Sequence, residues 1–193
     1  MIIYLHGFGS VGSSAKVDRL KEVFGEEKVI APDLPMDPKE VSRIVFDLVT
    51  DFWRSKNPER LVFVGTSLGG FYATYFGLLY DCPAVVVNPS TNPSRSLRDR
   101  LGPNKNFSTN EEFMVTIAHL DDLSVMREYI KENYQAALLN VFAAKDDEVV
   151  PYESVLEAYP YSAFECVTET GGHRFTEHWE LVVNRLKALM DGD

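Results

Sequence analysis

The sequence predicts an α/β fold, a doubly wound, mainly parallel sheet of about six strands with helices on both faces. Three observations lead there. Short β-branched runs alternate with helical patterns along the whole chain. The strand runs are continuously apolar, as in Ala84-Val85-Val86-Val87, which suits a parallel sheet covered on both faces. The 193 residues, 45% hydrophobic and 25% charged, suffice for one domain, 1–193, with a sizeable core.

The elements follow in order. Ile2–Leu5 reads as a strand that turns at His6-Gly7, and Ser13–Phe24 as a helix. Lys28–Ala31 is the second strand. Pro38–Lys56 is a long helix, with proline where a first turn tolerates it. Leu61–Gly65 is the third strand, and Gly69–Tyr80 carries the helical pattern Phe71, Tyr72, Tyr75, Phe76, Leu79. Ala84–Asn88 is the fourth strand. The rhythm then breaks from Pro89 to Ala137, beginning with the turn chemistry of Asn88-Pro89-Ser90-Thr91-Asn92-Pro93 and Gly102-Pro103-Asn104. Helical patterns near Glu111–His119 and Ser124–Asn133 follow. This interval is too long for a simple connection and predicts a small helical cap, inserted at 89–137. Leu138–Ala144 and Ala163–Thr168 complete the strands, and Tyr152–Ala158 and Thr176–Met190 the helices. Right-handed crossovers then place any active groups beyond the carboxyl ends of the strands, beneath the cap.

Bulk properties narrow the function. A formal net charge of -10 repels phosphate backbones and argues against nucleic-acid binding. The opening apolar run is too short for a signal peptide and lacks a basic n-region. No segment approaches the roughly 20 apolar residues that span a bilayer. Cys82 and Cys166 have neither metal-ligand spacing nor the numbers for a disulfide framework, so a reducing cytoplasm is the expected compartment. Cys166, within a strand run, is expected to be an inert thiol. No pattern specifies an oligomeric state.

The most informative stretch is Gly65-Thr66-Ser67-Leu68-Gly69, with a strand run before it and an apolar helical pattern after it. That is the context of a nucleophile elbow, in which Gly65 and Gly69 make room for a sharp turn and Ser67 Oγ stands at the top of the sheet. A serine hydroxyl needs a base, an orienting acid and an oxyanion hole. His173, in Thr170-Gly171-Gly172-His173, follows the last strand and is the candidate base. His6 fits a structural role tying loops together, His119 belongs to the cap, and His178 lies on a helix face. The acid falls in Asp146-Asp147-Glu148, where Asp146 and Asp147 both qualify by position. Phe8 and Leu68 are the candidate backbone donors of the oxyanion hole. No Gly-x-Gly-x-x-Gly, P-loop or metal-ligand spacing occurs, so neither cofactor nor metal is expected.

With these residues the chain resembles an α/β-hydrolase, and more closely the small bacterial YqiA-like esterases, a family related to the YcfP-like proteins. The resemblance runs over essentially the whole chain. It rests on Ile3-Tyr4-Leu5-His6-Gly7-Phe8, Ser14-Ala15-Lys16, Gly69-Gly70 with Tyr72-Ala73-Thr74, Val85-Val86-Val87-Asn88-Pro89 and Gly171-Gly172-His173. In α/β-hydrolases an Asp-x-x-Val-Pro element holds the triad acid. Asp147-Glu148-Val149-Val150-Pro151 matches it, and the resemblance thus selects Asp147. It implies carboxylesterase or acyl-thioesterase activity on a small-molecule substrate, without a cofactor. Two other readings fit the same residues. One is a serine hydrolase of another bond type, such as a peptidase or lactonase; the other is a non-catalytic binding protein on a hydrolase fold. Phe107, Phe113, Met114, Leu120 and Met126 could line an acyl pocket or form cap core. Arg95, Arg98, Arg100 and Lys105 could meet an anion or form a solvated face.

Overall fold

The computed structural model describes residues 1–55 and 60–192. Along the chain run β1 (Ile2–Leu5), α1 (Ala15–Phe24), β2 (Val29–Ile30), α2 (Pro38–Arg54), β3 (Val62–Thr66), α3 (Leu68–Leu79), β4 (Ala84–Val87), α4 (Pro93–Ser96), β5 (Gly102–Lys105), β6 (Glu112–Val115), α5 (Ile117–Glu132), β7 (Leu139–Ala144), α6 (Tyr152–Ala158), β8 (Phe164–Thr168) and α7 (Trp179–Asp191). The apolar runs pair as one sheet in the order β2-β1-β3-β4-β7-β8, every pairing parallel. Helices cover both faces, so alternate residues of each strand enter different cores. Ile3, Leu5 and Phe63 pack with α2, α3 and α5 on one face. Ile2, Tyr4 and Val62 pack with α1 and α7 on the other.

Local chemistry sets the helix ends. Ser14 accepts from Val17 N–H at the start of α1, and Asp37 accepts from Lys39 N–H ahead of Pro38 in α2. The stripe Val41, Val45, Val49, Phe52 holds α2 on the sheet. The helix ends at Arg54 with Ser55 as its cap, and Lys56, the end expected from sequence, lies outside the described residues. Helix α3 is buried nearly all round because β3 and β4 lie beneath it and α5 beside it, which accounts for its near-absence of polar residues. Among the described residues no helix is long and apolar enough to cross a membrane.

The interval 89–137 differs from the helical reading. Residues 112–115, expected within a helix near Glu111–His119, form β6 and pair antiparallel with β5. The physical reason is a two-residue period. Phe113 and Val115 turn inward while Glu112 and Met114 face out. The Asn106 side chain, accepting from Ser108 and Thr109 N–H, closes the turn between the strands. The second helical pattern extends further than Ser124–Asn133. It begins at Ile117, where Thr116 and His119 form a capping box. Leu120, Leu123, Met126 and Ile130 bury one face of α5 in the main core.

Candidate active site

Ser67 lies between β3 and α3 with φ 55 and ψ -122, a backbone that a non-glycine residue rarely adopts. Its N–H donates to Val87 O and its carbonyl accepts from Gly70 and Ser90 N–H, so the turn is braced on three sides. Glycine is required around it. A Cβ on Gly65 would stand 2.0 Å from Gly69 O, and one on Gly69 would stand 1.9 Å from Leu5 O. The turn thereby sits directly on β1 and on the loop that follows it.

The loop after β8 brings His173 to this serine. His173 Nε2 is 3.0 Å from Ser67 Oγ, and Nδ1 is 3.0 Å from both carboxylate oxygens of Asp147. The Asp147 side chain is 0% exposed and that of His173 20%. Asp147 also accepts from Val149 and Val150 N–H at 2.8 and 2.9 Å. Burial raises the Asp147 pKa, but the bonds from His173 and the two N–H groups outweigh it, leaving the carboxyl below its usual range. An ionised carboxylate at Nδ1 keeps the proton there, which leaves Nε2 free to accept from the serine hydroxyl.

Three further residues hold the His173 loop, and sequence reading had given none of them that task. Asp146 accepts from Gly172 N–H at 2.8 Å and from Gly171 N–H at 3.3 Å. Glu148 accepts from His173 N–H at 3.1 Å. Buried Asn88 donates to the carbonyls of Gly172 and His173 at 2.9 and 3.1 Å, and accepts from Ala144 N–H at 2.9 Å. The available signal was a polar side chain ending an apolar strand run at the carboxyl edge. The run of three acids is thus divided, with Asp147 on the imidazole and its neighbours on the loop backbone.

Of the other predicted residues, some adjoin this chain of contacts and some lie apart from it. A Cβ on Gly7 would lie 3.9 Å from Ser67 Oγ, so the loop holding Phe8 passes the hydroxyl closely. Among the described residues no protein acceptor engages Phe8 or Leu68 N–H. His6 is buried and accepts from Leu34 N–H at Nε2, so Nδ1 carries the proton and donates to Gly7 O. Burial lowers its pKa against the opposing pull of Gly7 O and Asp33. His119 caps α5, and His178 meets Thr170. Lys16 stands 5.1 Å over the Trp179 ring, its pKa lowered to about 8 by burial and by Arg174, the neighbour of His173. Burial raises the pKa of both thiols, Cys82 to about 11 with help from Asp81. Among the described residues no group of three or more His, Cys, Asp or Glu is placed to hold a metal ion.

A cavity of about 180 Å³ opens beside Gly7, Phe8 and Leu68 and runs to Met36, Tyr72 and Phe113. The β5–β6 hairpin bounds it. Phe113 and Phe107 pack on the Phe8 ring with centroids 5.4 and 6.4 Å away, and Phe107 N–H donates to Gly9 O. Of the five apolar residues expected to line an acyl pocket or form cap core, Phe113 lines the cavity, whereas Leu120 and Met126 lie in the main core. Phe107 and Met114 are 69% and 53% exposed. Arg95, Arg98, Arg100 and Lys105 are all exposed, and Lys105 pairs with Glu112.

The architecture is that of the α/β-hydrolases. A monoacylglycerol lipase from Paleococcus ferrophilus superposes with a TM-score of 0.68 at 14% identity, covering 96% of this chain and 93% of that one. Relatives by sequence include a UPF0227 protein of Pectobacterium atrosepticum, 30% identical over 103 residues. That match takes in 52% of this chain and 57% of the relative. A UPF0227 protein of Shewanella sp. (strain ANA-3) is 24% identical over 180 residues, 92% of each chain. The family model described as "Uncharacterised protein family (UPF0227)" matches residues 1–191, and the chain accordingly belongs to that family.

Proposed function

We propose that this protein is a serine hydrolase that cleaves carboxylic esters or acyl thioesters through an acyl-enzyme on Ser67. The observation that carries the reading is the unbroken line of contacts from Ser67 through His173 to Asp147 at the carboxyl edge of the sheet. Ser67 Oγ attacks the substrate carbonyl carbon as His173 Nε2 takes its proton. The N–H groups of Phe8 and Leu68 receive the resulting oxyanion. Collapse of the tetrahedral adduct expels the alcohol or thiol, which His173 protonates. Water, deprotonated by the same nitrogen, then releases the acid and restores Ser67. Asp147 holds the imidazole in the required tautomer and stabilises the imidazolium. A lipase among proteins of like fold favours ester chemistry.

Labelling with a fluorophosphonate probe, mapped by mass spectrometry, tests the reading. Adduct on Ser67 is expected, and its loss in Ser67→Ala and on prior denaturation. Absence of adduct under conditions that label a control esterase would overturn the proposal in favour of a binding protein on a hydrolase fold.

A further inference from the structure

Tyr72 lines the cavity, yet it is only 2% exposed and, among the described residues, its hydroxyl has no hydrogen-bond partner. A buried hydroxyl is normally paired, because leaving it unpaired forfeits its solvation with nothing in return. Phenylalanine would keep the ring packing against Phe71 and Phe76 without that penalty. The position is well defined. Leu68 and Tyr72 are four residues apart on α3 and share one face. The Tyr72 backbone therefore lies about 6 Å further along the helix axis than that of Leu68, which makes a short chain the one to test.

We propose that the cavity receives a short substrate chain carrying a neutral oxygen, a hydroxyl or a ketone, and that the Tyr72 hydroxyl recognises it. The inference rests on the reading of Ser67 as the acylated nucleophile. The volume suits it, since about 180 Å³ holds roughly six water-sized groups. The charge distribution disfavours an anionic chain end. Asp37 and Asp122 lie near enough to Tyr72 to oppose its ionisation, and Glu111 and Glu112 stand at the cavity rim. Asp122 is paired with Lys39 and Glu112 with Lys105, so a carboxylate on the substrate would chiefly meet Asp37 and Glu111, whereas a neutral oxygen accepts a hydrogen bond from the phenol.

The test is kcat/KM on matched pairs. The acyl pair is 4-nitrophenyl hexanoate and 4-nitrophenyl 5-oxohexanoate, with the 4-nitrophenyl monoester of adipic acid as the anionic comparison. The alcohol pair is butyl acetate and 4-hydroxybutyl acetate. The oxygenated member of one pair is expected to be favoured about tenfold, one hydrogen bond's worth, and the adipate ester to be the poorest acyl substrate. Preference in the acyl pair places the acyl chain in the cavity; preference in the alcohol pair places the leaving group there. Tyr72→Phe should bring the favoured ratio close to one and raise the Tm, since it removes the unpaired hydroxyl. Equal rates within both pairs, or a ratio unmoved in Tyr72→Phe, overturn the inference while leaving the hydrolase reading intact. A lower Tm with an unmoved ratio points instead to a buried water on Tyr72 and likewise overturns it. No turnover of any ester together with no adduct on Ser67 removes the hydrolase reading, and the inference with it.

Discussion

Asp147 directs its carboxylate at three donors, His173 Nδ1–H and the N–H groups of Val149 and Val150. Asp147→Asn keeps an acceptor for the backbone but can present an N–H to the imidazole, favouring the wrong tautomer. Turnover is expected to fall by about 10³- to 10⁴-fold with the fold retained, as in the serine-protease case from which that magnitude is taken; kcat measured beside a thermal melt checks it. The lowered pKa also fixes a sign. Stability from this carboxylate is in place above the unfolded value near 3.8 and is lost as pH falls through the lower folded value. Asn88 illustrates a different residue-scale role, since it touches no reacting atom. Its φ of 43 suits asparagine, and its amide joins β4, β7 and the His173 loop. Asn88→Ala strands two carbonyls and an N–H, at a cost of about 2–4 kcal/mol. In the folded fraction, Ser67 labelling by fluorophosphonate should slow; an unchanged labelling rate would reduce Asn88 to a purely structural residue.

At the scale of elements, the β3–α3 turn and the β5–β6 hairpin have opposite tolerances. Gly65→Ala drives a methyl into the Gly69 carbonyl and is expected to cost about 3 kcal/mol or more, up to failure to fold. Gly102→Ala, at the start of β5, meets nothing within 4 Å and incurs only the strain of φ 101, about 1 kcal/mol. Chemical denaturation of the two variants compares them directly. The hairpin reaches the candidate site through Phe113, which packs on Phe8 and lines the cavity. Phe113→Ala is expected to shift the preferred acyl chain of a 4-nitrophenyl ester series to longer lengths; an unchanged optimum would place the chain elsewhere. The hairpin also shows why its own pattern misled. Four residues of alternating exposure are too few to distinguish a strand from a helix edge, and only the partner strand settles the period.

At the scale of the whole molecule, charge is distributed unevenly around a net -10. Lys16 lies near enough to Arg174, the chain neighbour of His173, to feel its charge, and the Lys16 ammonium is partly desolvated over Trp179. Its folded pKa of about 8 lies below its ordinary 10.5, so between those values the unfolded chain binds more protons than the folded one. The contribution of Lys16 to stability therefore rises with pH across that window. Urea unfolding at pH 8 and 10 should show a smaller gain, or a larger loss, in Lys16→Met than in the parent; parallel behaviour would contradict the assignment.

What the sequence determined by itself were the features written in contiguous residues. Parallel strands appeared as unbroken apolar runs because both sheet faces are covered. The sharp turn between β3 and α3 was legible because Gly65, Ser67 and Gly69 must lie adjacent to make it. His173 and the acidic run were readable as strand-end loops, since topology alone carries such loops to one edge of the sheet. Tertiary structure decided the rest. It put Asp147 on the imidazole while Asp146 and Glu148 took the loop backbone. It recruited Asn88 from another strand, and it paired β5 with β6. Above all, it set Tyr72, whose hydroxyl has no partner among the described residues, along a cavity. Each of these depends on contacts between residues distant in the chain, where the geometry of a side chain is set by its surroundings rather than by its neighbours in sequence.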